Sequence, residues 1–228
     1  MFYGEAKNLM NTFNYLLGGL AITLQLTTAS LLLGLCLGLL LALTLWIPWA
    51  PIRWLALGYI HVIRGIPLLV LLLFIYFGLQ SVVGRHFQIH EFWAAVSAFG
   101  LCYGAYMAEI FRAGIESVER GQTEAARALG LTFGQTMGYV VLPQAVRNTL
   151  PALVNEAVAL LKDTSLAAVI AIPEITQRAR LEVARTYNTF STWGVVALIY
   201  LVLTLGLSFC ARLLERRQKR AGTHHPRT

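Results

Sequence analysis

"LLGGLAITLQLTTASLLLGLCLGLLLALTLW", Leu16–Trp46, holds no charged side chain, and neither does any position from Asn8 to Ile52. A helix of about 20 apolar residues crosses a bilayer, so this stretch crosses once with length to spare. In lipid only a helix or a closed barrel satisfies its own backbone, and so long an apolar run reads as a helix. A secretory leader fits poorly. The run is too long for its apolar core, no basic segment precedes it, and Thr27, Thr28 and Ser30 lie inside it rather than at a cleavage point.

The rest of the chain keeps the same solvent. Of 228 residues 57% are hydrophobic and 13% charged, with a mean hydropathy of +0.64. A water-soluble domain carries about a quarter of its residues as charges. Four further spans are expected, near Trp54–Leu79, Phe92–Phe111, Thr149–Ile172 and Thr192–Leu213. The fourth is interrupted by Glu156, Lys162 and Asp163. The expected class is therefore an all-α integral membrane protein of about five transmembrane helices. Small-residue pairs Gly34/Gly38 and Gly100/Gly104 would let helices approach closely.

Basic residues orient the bundle. Arg212, Arg216, Arg217, Lys219, Arg220 and Arg227 crowd the C-terminal tail, and Arg112, Arg120, Arg127 and Arg147 lie between spans three and four. Cytoplasmic segments collect Lys and Arg, so both belong inside and five spans place the N-terminus outside. The outer loops hold Arg85 and then Arg178, Arg180 and Arg185. Without interleaved aromatics or a folded module, the basic tail reads as topology rather than nucleic-acid binding. Cys36, Cys102 and Cys210 fall in spans, with no CxxC pair, and read as small apolar residues. His86 and His90 are spaced for one face of a helix, but a solvated loop accounts for them better than a metal site.

Between spans three and four the composition changes. Glu109, Arg112 and Glu116 stand at i, i+3 and i+4 spacing, so the third helix should continue past the membrane as an ion-paired extension. Gln122–Leu129 is Ala-rich and ends at Gly130. Thr132-Phe-Gly-Gln135 fits a capping box, opening a short helix with Phe133, Met137, Val140 and Val141 that Leu142-Pro143 should halt. The result is a helical hairpin in which Ala125, Ala126 and Gly130 leave room for close backbone contact.

Glu124-Ala125-Ala126, Gly130 and Leu142-Pro143 resemble the EAA motif of permease subunits of ATP-binding-cassette importers. The likeness extends to Arg64-Gly65-Ile66-Pro67-Leu68-Leu69-Val70, Ala105–Gly114 and Lys162-Asp163-Thr164-Ser165-Leu166, which are similar to the polar amino acid branch. Glutamine, glutamate/aspartate and basic amino acid systems share these segments.

The resemblance implies a type I importer permease in the bacterial inner membrane, paired with an identical or similar permease. It implies an outer N-terminal segment 1–15, a transmembrane permease domain 16–213 with a cytoplasmic coupling loop at about 112–148, and a basic cytoplasmic tail 214–228. Partner ATPase subunits carrying ATP and Mg would grip Glu124, Ala125, Ala126, Gly130, Leu131, Phe133, Leu142 and Pro143. A periplasmic or lipid-anchored binding protein would deliver the amino acid, and Glu174–Arg185 is a candidate surface for it.

No cofactor is expected in this chain. Its only lysines, Lys7, Lys162 and Lys219, are not followed by Ser or Thr, so no phosphate-cradling loop is present. HExxH and GxSxG are likewise missing. The alternative, a stand-alone ion-driven carrier or channel, commonly shows inverted repeats of broken helices, and no internal repeat is visible.

Charges at membrane depth are costly and mark routes or internal pairs. Glu156, Lys162, Asp163, Thr164 and Ser165 suit a zwitterion's path equally as they suit an ion pair locking helices together. Arg64 either enters that path or snorkels to the headgroups. Gly65 and Pro67 should kink the second span.

Overall fold

In the computed structural model the backbone is described for residues 2–47, 49–83 and 89–222, and side chains for these except 2–7, 83 and 214–222. Arg85, His86 and Arg227 lie outside the described residues, as do the side chains of Arg216, Arg217, Lys219 and Arg220. His90 caps a helix, its Nδ1 accepting from Phe92 N at 3.2 Å.

The described elements are helical: α1 Phe2–Leu17, α2 Leu20–Thr44, α3 Ala50–Gly65, α4 Leu68–Leu73, α5 Leu79–Val83, α6 Glu91–Glu116, α7 Arg120–Ala128, α8 Phe133–Thr136, α9 Leu142–Asp163, α10 Ile175–Thr186 and α11 Thr189–Gly222. π-helical turns at Phe74–Gly78 and Met137–Val141 and a 3-10 stretch at Thr164–Ile170 complete them.

Helix α2 is packed inside out, as lipid solvent requires. Its buried stripe is small and polar (Thr23, Thr27, Ser30, Gly34, Gly38 and Ala42, with Leu26), while Leu24, Leu32, Leu39, Leu40 and Leu43 face outward. Without a hydrophobic force between helices in lipid, close packing of small residues holds them. The four glycines noted in the sequence interlock across α2 and α6. A Cβ on Gly38 would meet Met107 Cβ at 2.7 Å and Gly104 O at 3.1 Å; one on Gly104 would meet Leu37 Cβ at 3.0 Å, and one on Gly100 would meet Leu33. Contact positions rise together along both helices, so α2 and α6 run parallel.

Parallel neighbours require a return between them, which α3–α5 provides. That return is far more than a kink: Ala50–Gly65 and Leu68–Val82 meet at 104°. Pro67 cannot donate to the helical ladder and pushes Ile66 into extended backbone, φ −97° and ψ 129°. Helix α9 then runs antiparallel to α6, since Gly114 abuts Thr149 and Ala145 while Tyr103 reaches Asp163. By length and composition Asn8–Thr44, Glu91–Glu116 and Thr189–Leu213 can each span a membrane, and the bent pair taken as one span makes a fourth. The expected span at Thr149–Ile172 is not one apolar helix: α9 carries Glu156, Lys162 and Asp163 and hands over to the 3-10 stretch. With that stretch included, the chain passes between the two ends of the bundle five times.

Candidate translocation site and coupling hairpin

A cavity of about 460 Å³ opens where the α3–α4 break faces α6 and α9. Arg64, Gly65, Ile66, Pro67 and Leu68 form one wall, Cys102, Tyr103 and Tyr106 the second, and Glu156, Ala159 and Asp163 the third. Tyr103 lies at the middle of α6, so the cavity sits halfway along the bundle.

Each polar group is positioned by its helix. Arg64 is the penultimate residue of α3, and its guanidinium lies over the Tyr106 ring, 5.2 Å from the centroid. Glu156 and Asp163, seven residues apart on α9, share a face after two helical turns. Tyr103, buried in the core, donates its hydroxyl to Asp163 Oδ2 at 2.8 Å. Among the described residues the ion pairs join Arg112 to Glu109 and Glu116 and Arg185 to Glu182, and His90 lies 3.7 Å from Glu91; none joins Arg64 to Glu156 or Asp163. Opposite charges thus face one space without a direct ion pair between them.

Of the residues singled out in the sequence, Arg64, Glu156 and Asp163 meet at this cavity, and Lys162, Thr164 and Ser165 do not line it. Lys162 is exposed, and Thr164 is buried with its hydroxyl on Leu161 O at 2.7 Å. Within this chain Lys162 and Asp163 form no ion pair with each other. Arg64 is exposed, with its guanidinium packed over the Tyr106 ring. Tyr103 and Tyr106 were missed; a tyrosine at mid-helix in an apolar span carries a hydroxyl or a ring face that needs a polar partner, and that signal was available.

The hairpin lies at the far end of α6. Arg112 bridges Glu109 at 2.7 Å and Glu116 at 2.8 Å, as the spacing predicts. Helix α7 ends in a Schellman motif: Leu131 N donates to Ala126 O at 3.2 Å and Gly130 N to Arg127 O at 3.0 Å. Gly130 takes φ +86° with open space where a Cβ would stand. Its role is therefore conformational, and the close backbone contact expected at Gly130 is absent within this chain. Ala126 is buried, whereas Glu124, Ala125 and Gly130 are exposed.

The capping box forms as read: Thr132 N donates to Gln135 Oε1 at 2.9 Å and Gln135 N to Thr132 Oγ1 at 3.4 Å. Pro143 does not halt the helix. The π-turn moves the Leu142 N–H onto Met137 O, and Gln144 Nε2 donates to Val140 O at 2.9 Å. A widened turn accommodates a proline ring that would strike the carbonyl four residues back. Phe133 is 61% exposed and Leu129 82%, while Leu131 and Leu142 are half-buried. Beneath them Val118, Val141 and Ala145 form a small core with Ile115 and Met137.

At the opposite end, α10 consumes most of the charge considered for a docking surface. Glu174 is fully buried, accepting from Thr176 N at 2.8 Å, Gln177 N at 2.7 Å and Tyr200 Oη at 2.9 Å. Burial pushes its carboxyl above the ordinary value, more than those bonds lower it. Glu182 is buried against Arg185, 2.7 Å away, and Arg178 donates to Tyr15 O.

Comparison with known proteins agrees with this architecture. Residues 34–220 match the family described as binding-protein-dependent transport system inner membrane component. The chain is 43% identical over 205 residues to the arginine transport system permease protein ArtQ of Bacillus subtilis, covering 90% of this chain and 93% of that one. It is 40% identical over 204 residues to the glutamine transport system permease protein GlnP of Escherichia coli, with coverage of 90% and 93%. Among solved structures it matches a chain of an amino acid ABC transporter with histidines at TM-score 0.87 and 42% identity, covering 92% and 97%. The methionine transporter MetNI, inward-facing, shares the fold at TM-score 0.73 and 20% identity, with coverage of 89% and 95%. The fold is that of the type I importer permease, and the chain belongs to the inner membrane components of binding-protein-dependent transport systems.

Proposed function

We propose that this chain is the permease subunit of an importer that moves an amino acid across the bacterial inner membrane. The observation that carries the reading is the cavity halfway along the bundle, where Arg64 faces Glu156 and Asp163 without an ion pair between them. An α-amino acid presents a carboxylate and an ammonium group, and a site with fixed charges of both signs replaces the water each one loses. The named relatives, which transport arginine and glutamine, support amino acids as the cargo class.

Energy enters at the other end. Separate ATPase subunits, holding ATP and Mg, seat the hairpin through exposed Leu129 and Phe133, with Glu124, Ala125, Gly130 and Pro143 around them. The basic hairpin end is cytoplasmic, which places α10 and the N-terminus outside. A second permease, identical or similar, completes the pore. An extracytoplasmic binding protein delivers the cargo near α10, where Arg180 and Arg185 remain exposed after Glu174 and Glu182 are buried.

The test is uptake of labelled amino acids into liposomes holding the permease, its ATPase and its binding protein. ATP-dependent uptake is expected, lost in Phe133→Asp through failed assembly and in Asp163→Asn with the ATPase still bound. Uptake by the permease alone, driven by an ion gradient, would establish the carrier alternative instead.

A further inference from the structure

A second cavity, of about 400 Å³, opens where the end of α2 meets α6 and the coupling hairpin. Trp46, Ile115, Val118 and Met137 supply apolar walls, and Glu116, Arg120 and Thr123 polar ones. We propose that this cavity binds an anionic phospholipid of the inner leaflet, its phosphate on Arg120 and its glycerol and upper acyl chain against Trp46 and the apolar walls. This rests on the reading that the hairpin end is cytoplasmic, and it gives that end a ligand in addition to the ATPase.

The turn between α2 and α3 sets the depth. Trp46, Trp49 and Trp54 follow one another closely there, and all three are exposed. Tryptophan gathers where acyl chains meet headgroups, its ring in hydrocarbon and its N–H towards water. The charge-free run of α2 also ends at this turn, and Arg53 is the first charge after it. Trp46 therefore places the cavity at headgroup level, with hydrocarbon alongside. Phe133 lines the same space, so a lipid bound there packs against the hairpin itself.

Charge selects the headgroup. Glu116 is already engaged, with Arg112 Nη1 2.8 Å from both of its carboxylate oxygens. Glu119, next to Arg120 in sequence, does not line the cavity. Arg120 is exposed and joins no ion pair among the described residues. The cavity thus presents one cation without an acidic partner. Arg120 and Thr123 stand in the first turn of α7, where the N-cap Glu119 side chain makes no capping bond. A free helix start favours an anion, and a guanidinium holds a phosphate through paired N–H groups. A zwitterionic lipid brings its own ammonium group to compete with Arg120 for that phosphate. A headgroup with net negative charge does not.

The experiment is native mass spectrometry of the detergent-solubilised permease–ATPase complex, titrated with phosphatidylglycerol or with phosphatidylcholine of the same acyl chains. Phosphatidylglycerol is expected to bind about fivefold or more tightly, the worth of one basic residue at a membrane surface. Arg120→Gln should bring the ratio of the two affinities towards one, and Arg120→Lys should keep most of it. Trp46→Ala should weaken both lipids. Arg212→Gln, which removes an exposed cation outside the cavity, should move neither. Glycerol phosphate, the same phosphate without acyl chains, should not displace the lipid. The ATPase retained in each complex shows that the variant is assembled.

Equal binding of the two lipids, no retained lipid, or a ratio unmoved by Arg120→Gln would each overturn the proposal. Equal losses in the Arg120 and Arg212 variants would reduce it to general attraction by surface charge, and displacement by glycerol phosphate would make the site one for free phosphate. All of these outcomes leave the importer reading intact, because uptake decides that reading and lipid binding does not.

Discussion

The phenolic oxygen of Tyr103 lies 2.8 Å from Oδ2 of Asp163, joining the middle of α6 to the last residue of α9. A hydroxyl donor at that distance fixes the carboxylate and satisfies one of its lone pairs in a region poor in water. Tyr103→Phe should remove about 0.6–1.7 kcal/mol of stability, the range for hydrogen bonds between membrane helices. It should also raise KM for uptake, with kcat little changed, because Asp163 loses its orientation. Unfolding in detergent and uptake kinetics check both; unchanged KM and stability would show that the bond is idle.

Gly130 closes α7 at φ +86° in open space. A side chain there meets no neighbour in this chain, so the cost of Gly130→Ala is backbone strain of about 1–2 kcal/mol. Gly130→Asn, which tolerates the left-handed region, should retain more of the ATPase stimulation by loaded binding protein than Gly130→Val. Equal stimulation in the Asn and Val variants would show that backbone conformation is not what this position supplies. Gly130→Arg tests a different contact, the one between hairpin and ATPase.

Gly38 and Gly58 separate packing from composition. A Cβ on Gly38 meets Met107 Cβ at 2.7 Å, whereas one on Gly58 has nothing within 4 Å. Gly38→Val should lower stability by about 1–3 kcal/mol through overpacking. Gly58→Ala should leave it unchanged or raise it by a few tenths, since alanine restricts the unfolded chain. Thermal unfolding of the purified protein gives the comparison, and similar midpoints for the two variants would contradict the α2–α6 interlock.

Glu174 makes stability depend on pH. Burial raises its carboxyl above the ordinary value of 4.5, so the folded chain holds this proton at a pH where the unfolded chain has released it. The group's contribution is fully present below 4.5 and is lost as pH rises towards the folded-state value. Glu174→Gln lacks this titration. The gap between wild type and variant should therefore shift against the wild type as pH rises past 4.5. A constant gap across that range would place the proton elsewhere.

Much of this architecture was legible because lipid reverses the usual rules. A charge-free run, glycines four apart, a Thr-x-x-Gln box and a Glu-Arg-Glu ladder each name a local structure whose cause lies within a few residues. What was not legible depended on partners distant in sequence. Pro143 reads as a stop, yet the π-turn before it makes room for the ring and the helix continues. Gly114 gave no signal of its contact with Thr149, and the charges of α10 look like surface until Glu174 and Glu182 are seen buried. Within the cavity, ionisable groups drew notice by their cost in lipid, and that criterion passes over Tyr103 and Tyr106.

From the capping box at Thr132 to the carboxylate of Asp163, helical backbone continues without an interruption through α8, the π-turn and α9. At about 1.5 Å per residue that path is roughly 45 Å long. Its first turn carries exposed Phe133 and its last residue carries an acid of the cavity. Displacing the first turn can reach Asp163 by tilting one continuous strut, with the π-turn, Pro143 and Pro151 as the interior places where it can flex. The same amino acids that seat a motor at one end therefore set the reach of a carboxylate at the other, and no loop stands between them to dissipate the stroke.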